Sequence, residues 1–204
     1  MARKKTTDRN EGTLVKLNLG CGRDIRDGWI NVDAVDLPGV DVVANLDDCA
    51  VKPLPFADNS VDEFLLSHLL EHISRPLPLM QELWRIAKPG AVITVRVPHG
   101  ASDHAWTDPT HVRPYFGGSF GYFSQPFYFR ADYGYRGDWQ PTRTTYVVPR
   151  EPFGAMQIPQ ILQHIEVFRN VVQEMIVEMK AVKPAREAKK ELQVGADIVV
   201  RLAG

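Results

Sequence analysis

Three stretches of this 204-residue chain put reactive or ligand-binding residue types at informative spacings. In the first, the apolar run Lys16-Leu17-Asn18-Leu19 ends in Gly20-Cys21-Gly22, and a second short run, Ile30-Asn31-Val32, ends in Asp33. Glycines let backbone approach a ligand with no Cβ in the way. An acid at the tip of the following strand can accept both hydroxyls of a ribose. The pair suits a nucleoside cofactor; the plainer reading is a tight strand-to-loop turn. A nicotinamide dinucleotide calls for a longer glycine fingerprint and an acid about 20 residues on, and Asp33 comes too soon for that. The second stretch, His68-Leu69-Leu70-Glu71-His72, has the H-x-x-E-H spacing of one zinc peptidase class. Its plainer reading is that Glu71 and His72 cap or pack a helix start. The third runs from His99 to His111 and holds His99, Asp103, His104, Asp108 and His111. A histidine titrating near pH ~6.5 suits proton transfer. His111 with Asp108 as orienting partner is the first candidate for a base, and His99 the second. The same residues could ligate a metal or simply tie down the loop by hydrogen bonds; the assignment taken here includes no resident metal.

Alternating elements must position these groups. Residues 14–19, 30–33, 41–44 and 61–66 read as strands, and residues 69–87 as helical, with apolar positions at three-and-four spacing. Pro76 and Pro78 split that helix, leaving a loop near 74–76. Lys88-Pro89-Gly90 stops it, and residues 91–97 form the clearest strand, ended by Pro98. Residues 158–165 suit a short helix and 171–182 a long strand. Residues 183–191 read as a charged connector or exposed helix, and 197–202 carry weak strand character. The expectation is an α/β, Rossmann-like, mostly parallel sheet, with an aromatic-rich insertion over 99–150 after the fifth strand. A tail (1–13) and a C-terminal extension (184–204) flank the domain (14–183). Within the insertion, Phe116, Phe120 and Phe123 have helical spacing and are expected to pack on the sheet. Other aromatics between Tyr115 and Trp139 could wall a substrate or form a lid.

Composition narrows the partners. The net charge of −1, from 24 basic and 25 acidic residues, gives no reason to expect nucleic acid or an anionic membrane. No run of about 18 apolar residues is present to span a bilayer. Two cysteines, Cys21 and Cys49, read as reduced thiols in a cytoplasmic protein. A small-molecule substrate is the expected partner, with a homo-oligomer left open.

The order of motifs carries a family resemblance. Leu17-Asn18-Leu19-Gly20-Cys21-Gly22 is followed by Asn31-Val32-Asp33, then by residues 54–62 (Leu-Pro-Phe-Ala-Asp-Asn-Ser-Val-Asp). Ser67-His68-Leu69-Leu70-Glu71-His72 comes next, then residues 83–90 (Leu-Trp-Arg-Ile-Ala-Lys-Pro-Gly). Over roughly residues 14–123 the chain resembles class I S-adenosylmethionine-dependent methyltransferases. It looks closest to a predicted small-molecule and sugar branch with an Asp-Pro-Thr-His signature, here Asp108-Pro109-Thr110-His111. The resemblance implies S-adenosylmethionine as cofactor and methyl transfer to an oxygen or nitrogen of a small molecule, a sugar or nucleotide-sugar among them. It implies that Gly20, Cys21 and Gly22 pass under the methionine part and that Asp33 holds the ribose. Asn45 and Leu46 would meet the adenine edge, and Ser67 and His68 would line the sulfonium end. Asn18 stands where the family usually has an acid, Asp24 at its third glycine, and Asn45 at its adenine-reading acid. The connection from Gly22 to Ile30 has room for about one helical turn. These departures frame the rival reading, a non-catalytic protein that keeps the fold as an interaction or ligand-binding module.

Overall fold

The computed structural model describes residues 14–204; the tail expected over 1–13 lies outside the described residues. Strands β1 (Lys16–Leu19), β2 (Ile30–Asp33), β3 (Val42–Val43), β4 (Val61–Ser67) and β5 (Ala87–Pro98) are joined by β6 (Trp139–Val148), β7 (Glu174–Ala181) and β8 (Asp197–Leu202). They form one eight-stranded sheet in the order β3-β2-β1-β4-β5-β7-β6-β8. β1 to β5 pair in parallel, β7 runs antiparallel to both β5 and β6, and β8 is parallel to β6. The fold is therefore mixed α/β with a largely parallel sheet. No helix among the described residues is long and apolar enough to cross a membrane.

β1 and β4 lie inside the sheet and bury their apolar positions; Leu17, Leu19, Phe64 and Leu66 are completely buried. Helix α1 (Pro76–Ile86) starts with Pro76 in the first turn, where a missing N–H costs nothing. It turns Leu79, Met80, Leu83 and Ile86 into the core. Between β1 and β2 there is no helix. A buried amide network holds that short connection instead. Asn18 Nδ2 donates to Asp24 O at 2.7 Å and to Asn31 Oδ1 at 3.0 Å, and Asn31 Oδ1 also accepts from Arg26 N at 3.0 Å. An aspartate at position 18 would aim an anion at two acceptors, so the departure at Asn18 has a local structural reason.

Four expectations are corrected. Lys88-Pro89-Gly90 follows the end of α1 at Ile86, but as part of β5 rather than as a turn before it: the strand opens at Ala87 instead of residue 91, next to an irregularity in the β4–β5 pairing between Val61 and Glu63. Residues 139–148, inside the stretch read as an insertion, form β6, a strand flanked on both sides by partners. The stretch read as a C-terminal extension contributes β8, which pairs with β6 from Arg143–Asp197 to Val148–Leu202. Phe120 and Phe123 enter the core as expected, but Phe116 is exposed beside the short 3₁₀ helix Gly117–Phe123.

β6 is anchored by its first residue. Trp139 is fully buried, meets Phe64 edge-to-face at 5.7 Å, and donates Nε1–H to Met80 O at 2.9 Å. Next to it, the fully buried Asp138 accepts from Arg186 through both oxygens, at 2.8 Å each. Trp139→Ala is expected to cost about 3–5 kcal/mol in urea denaturation, the usual range for emptying a large core aromatic site. A cost below about 1 kcal/mol would mean that β6 is not part of the cooperative core.

Candidate active site

Parallel pairing brings the ends of β1 to β5 to one edge, where ligands bind in open α/β sheets. Leu19 pairs with Val32 and with Leu66. Gly20, Asp33 and Ser67 therefore leave the sheet at the same level. Gly20 and Gly22 have φ of +62° and +50°, conformations that a Cβ disfavours. A Cβ on Gly20 would sit 2.6 Å from Leu69 Cδ1, whereas one on Gly22 would meet nothing within 4 Å. The open side of Gly22 is bare main chain facing space. The Asp33 carboxylate accepts from Gly22 N at 2.7 Å through Oδ2 and from Val35 N at 3.0 Å through Oδ1. A carboxylate has about four lone-pair sites, so two acceptor positions remain for a ligand's hydroxyls. Burial, and after it the charge of Asp33, pushes the Cys21 thiol up, which keeps it protonated.

The other expected cofactor residues lie on the same edge. Asn45 caps the 3₁₀ turn Leu46–Ala50, its Oδ1 accepting from Asp47 N at 3.2 Å. The Leu46 side chain is buried in the core, so it is the main chain at 46 that can meet a ligand. Ser67 ends β4. His68 follows with φ of +50°, Nε2 2.9 Å from Glu174 Oε1 and Nδ1 3.3 Å from Glu71 Oε1. Glu174 is also held by Arg96, at 3.1 and 3.0 Å. The two carboxylates, Glu174 foremost, push His68 up to about 9, so it is a cation at neutral pH.

This disposes of the H-x-x-E-H zinc reading. His68 is committed to two acids, and His72 lies on a three-residue 3₁₀ turn, Leu70–His72, rather than on one face of a long helix.

The loop after β5 folds back over that turn. Val112 N donates to Glu71 O at 2.9 Å, and Tyr115 OH donates to buried Leu70 O at 3.4 Å. This carries His111 to His72, with ring centroids 4.7 Å apart. His111 Nδ1 lies 3.1 Å from Ala105 O, so the proton is on Nδ1 and Nε2 carries the lone pair. Asp108 is not the orienting partner of His111; its Oδ2 is 4.0 Å from Nε2. Asp108 Oδ1 instead accepts from Thr110 N and Oγ1, at 2.8 and 2.7 Å. Those bonds hold the Asp108 carboxyl below the usual range. Thr110 in turn holds His72, with Oγ1 3.0 Å from Nδ1.

His99 lies apart, buried, with Nδ1 accepting from Ala101 N at 3.3 Å and its ring edge-on to Phe116 and Tyr146. Burial pushes its pKa down. It is therefore neutral with its proton on Nε2, a donor rather than a base. It borders a cavity of about 500 Å³ walled by Phe116, Tyr146 and Phe168, with Glu166 and Arg169 at hand. Asp103 pairs with Arg169 and Asn170, outside the histidine cluster.

Comparison with known proteins agrees with the fold. Residues 17–95 match the family model described as a methyltransferase domain. Over 42 residues the chain is 48% identical to a protein of Mycobacterium tuberculosis named an uncharacterized methyltransferase. That match covers 21% of this chain and spans only 16% of the relative's length. A solved S-adenosylmethionine-dependent methyltransferase of Archaeoglobus fulgidus superposes with a TM-score of 0.61 at 16% identity, covering 83% of this chain and 86% of that one. YcgJ of Bacillus subtilis gives 0.53 at 14% identity, covering 85% and 94%. The [4+2]-cyclase SpnF gives 0.52 at 13%, covering 84% and 76%. The chain thus shares its architecture with proteins of more than one titled activity, and the reaction must be argued from the site.

The His68 cluster titrates in a definite direction. Its pKa rises from 6.5 to about 9 on folding, so its stabilisation is complete below pH 6.5 and is lost as pH climbs through about 9. The gap in Tm between the wild type and His68→Gln should be widest near pH 6 and shrink toward pH 9. A gap that grows with pH contradicts the ion-pair assignment.

Proposed function

We propose that the protein transfers the methyl group of S-adenosylmethionine to an oxygen or nitrogen of a small molecule. The observation that carries this reading is the Asp33 carboxylate clamped to the glycine turn through Gly22 N, at the shared edge of β1 and β2. In that position Asp33 would accept the ribose hydroxyls, and the main chain of Gly20, Cys21 and Gly22 would run beneath the methionine part. The turn at Asn45 and Leu46 would meet the adenine edge. Ser67 would lie toward the sulfonium end. His68 is a cation flanked by Glu71 and Glu174, so its charge is balanced locally and does not oppose a sulfonium.

Methyl transfer from a sulfonium is an in-line displacement. The acceptor's lone pair forms the new C–O or C–N bond as the C–S bond breaks and its electrons return to sulfur. The protein's task is alignment, with a base where the nucleophile carries a proton. His111 suits the base role, since Ala105 O holds its Nδ1–H and leaves Nε2 to accept. Asp108 acts at one remove, fixing Thr110 and through it His72. His99, with Nε2–H as donor, would bind an acceptor in the aromatic-walled cavity. Phe116, Tyr146 and Phe168 there suit the apolar face of a ring, which supports a sugar or nucleotide-linked sugar as acceptor.

Calorimetry with S-adenosylmethionine and S-adenosylhomocysteine is the test. Both should bind to one site, and Asp33→Ala should weaken each at least about tenfold. No heat from either ligand with folded protein, or unchanged affinity in Asp33→Ala, contradicts the reading. For an acceptor found by screening for S-adenosylhomocysteine release, His111→Ala should lower kcat at least about a hundredfold with cofactor affinity intact. Unchanged turnover removes the base assignment.

A further inference from the structure

The loop that returns over the Leu70–His72 turn assembles a group of side chains of which the methyl-transfer reading uses only His111. Ligand atoms of Glu71, His72 and His111 all lie within 4.8 Å of one another. The Glu71 side chain is 3% exposed, yet neither of its carboxylate oxygens has a hydrogen-bond partner. Among the described residues its ion-pair contact is His68 Nδ1, 3.3 Å from Oε1, and Oε2 has no hydrogen-bond partner. A buried carboxylate without hydrogen bonds is unfavourable, and such groups are ordinarily paired or bound to a metal.

The two histidines are prepared in the same way. Each has Nδ1 engaged by the loop: His72 with Thr110 Oγ1 at 3.0 Å and Thr110 O at 3.3 Å, His111 with Ala105 O at 3.1 Å. Thr110 Oγ1 gives its own proton to Asp108 Oδ1, so it accepts from His72. Each ring therefore presents an Nε2 lone pair. A ring N–H held by a carbonyl or by a carboxylate-anchored group is the usual support of a metal-bound histidine, because it fixes the tautomer and orientation.

We propose that Glu71, His72 and His111 bind one divalent transition-metal ion of the zinc class, through Glu71 Oε2 and the two Nε2 atoms. Two imidazoles and a carboxylate are the donor set of open zinc sites and of Fe(II) facial sites. Three protein donors leave at least one coordination position for water or for an oxygen of a bound molecule, the pattern of a reactive rather than a structural site. Ligand atoms around zinc at ~2.1 Å stand ~3.4 Å apart, so the three side chains draw together on loading. His72 and His111 are free to do so on turns rather than on a rigid helix. In the loaded protein the His111 lone pair is a ligand, and its use as a base belongs to the metal-free state.

The proposal stands on the geometry of these three residues and not on the cofactor reading. Untagged full-length protein, stripped with EDTA, is titrated with Zn²⁺ against a chromophoric chelator and with Co²⁺ for its visible absorption. S-adenosylmethionine binding is measured on the same samples. One equivalent of each metal should bind, with Co²⁺ bands in the visible. Glu71→Gln, His72→Ala and His111→Ala should each weaken Zn²⁺ at least about tenfold, and Zn²⁺ should raise the Tm of the wild type but not of Glu71→Gln. If Glu71→Gln fails to fold, His111→Gln on the returning loop serves in its place. No stoichiometric binding, or equal binding in the folded variants, overturns the proposal. Metal binding without S-adenosylmethionine binding would keep it and remove the methyl-transfer reading instead.

Discussion

Parallel pairing of β1 with β2 and β4 governs everything at the site. A parallel ladder forces successive strands to end at the same edge, and the register Leu19–Val32 and Leu19–Leu66 sets Gly20, Asp33 and Ser67 side by side. The Gly22 N–H then reaches the Asp33 carboxylate at 2.7 Å. A slip of one residue would turn Asp33 to the opposite face of the sheet and Val32 out of the core. The complete burial of Leu17, Leu19, Val32 and Leu66 makes that slip costly, since each apolar side chain brought out of water contributes about 1.5–3 kcal/mol. The core thus fixes the site geometry, and the glycines only make room for it.

The rest of the sheet supplies the far wall. Antiparallel β7 places Glu174 opposite Pro98, at the same edge as His68. Glu174 can therefore join Arg96 and His68 across two strands. On the other side of His68 lies Glu71, then the histidines of the returning loop. A chain of alternating charge and lone pairs runs along the edge from Arg96 to His111. One backbone bond, Val112 N to Glu71 O, fastens the loop that completes it.

Much of this was legible in the sequence where local pattern and tertiary role agree. Ile30–Asp33 and Asp197–Leu202 form the strands their patterns suggest, and the break before Pro76 lies where proline chemistry places it. β6 was not legible because Pro141 argues against a strand inside a sheet. The structure admits it by a register shift between Pro141 and Arg143, so the missing N–H falls at an irregularity. Lys88-Pro89-Gly90 misled for the related reason that a proline and a positive-φ glycine can open a strand at an irregular pairing. The site divides in the same way. The Asp33 and glycine-turn pairing follows from two neighbouring motifs. The meeting of Glu71 and His72 with His111 depends on a loop path between residues 99 and 115 that no periodicity announces. Both motifs, H-x-x-E-H and Asp-Pro-Thr-His, are visible in the sequence, but nothing in either one points to the other.

The central claim is that Asp33 holds a ribose above the glycine turn, and a crystal structure with S-adenosylhomocysteine tests it most directly. Both ribose hydroxyls should lie within about 3.2 Å of Asp33 oxygens, with the homocysteine part over Gly20 to Gly22 and the sulfur directed toward Ser67 and the returning loop. A nucleoside seated elsewhere, or an Asp33 carboxylate that keeps only its bonds to Gly22 and Val35 while the ligand binds, would contradict it.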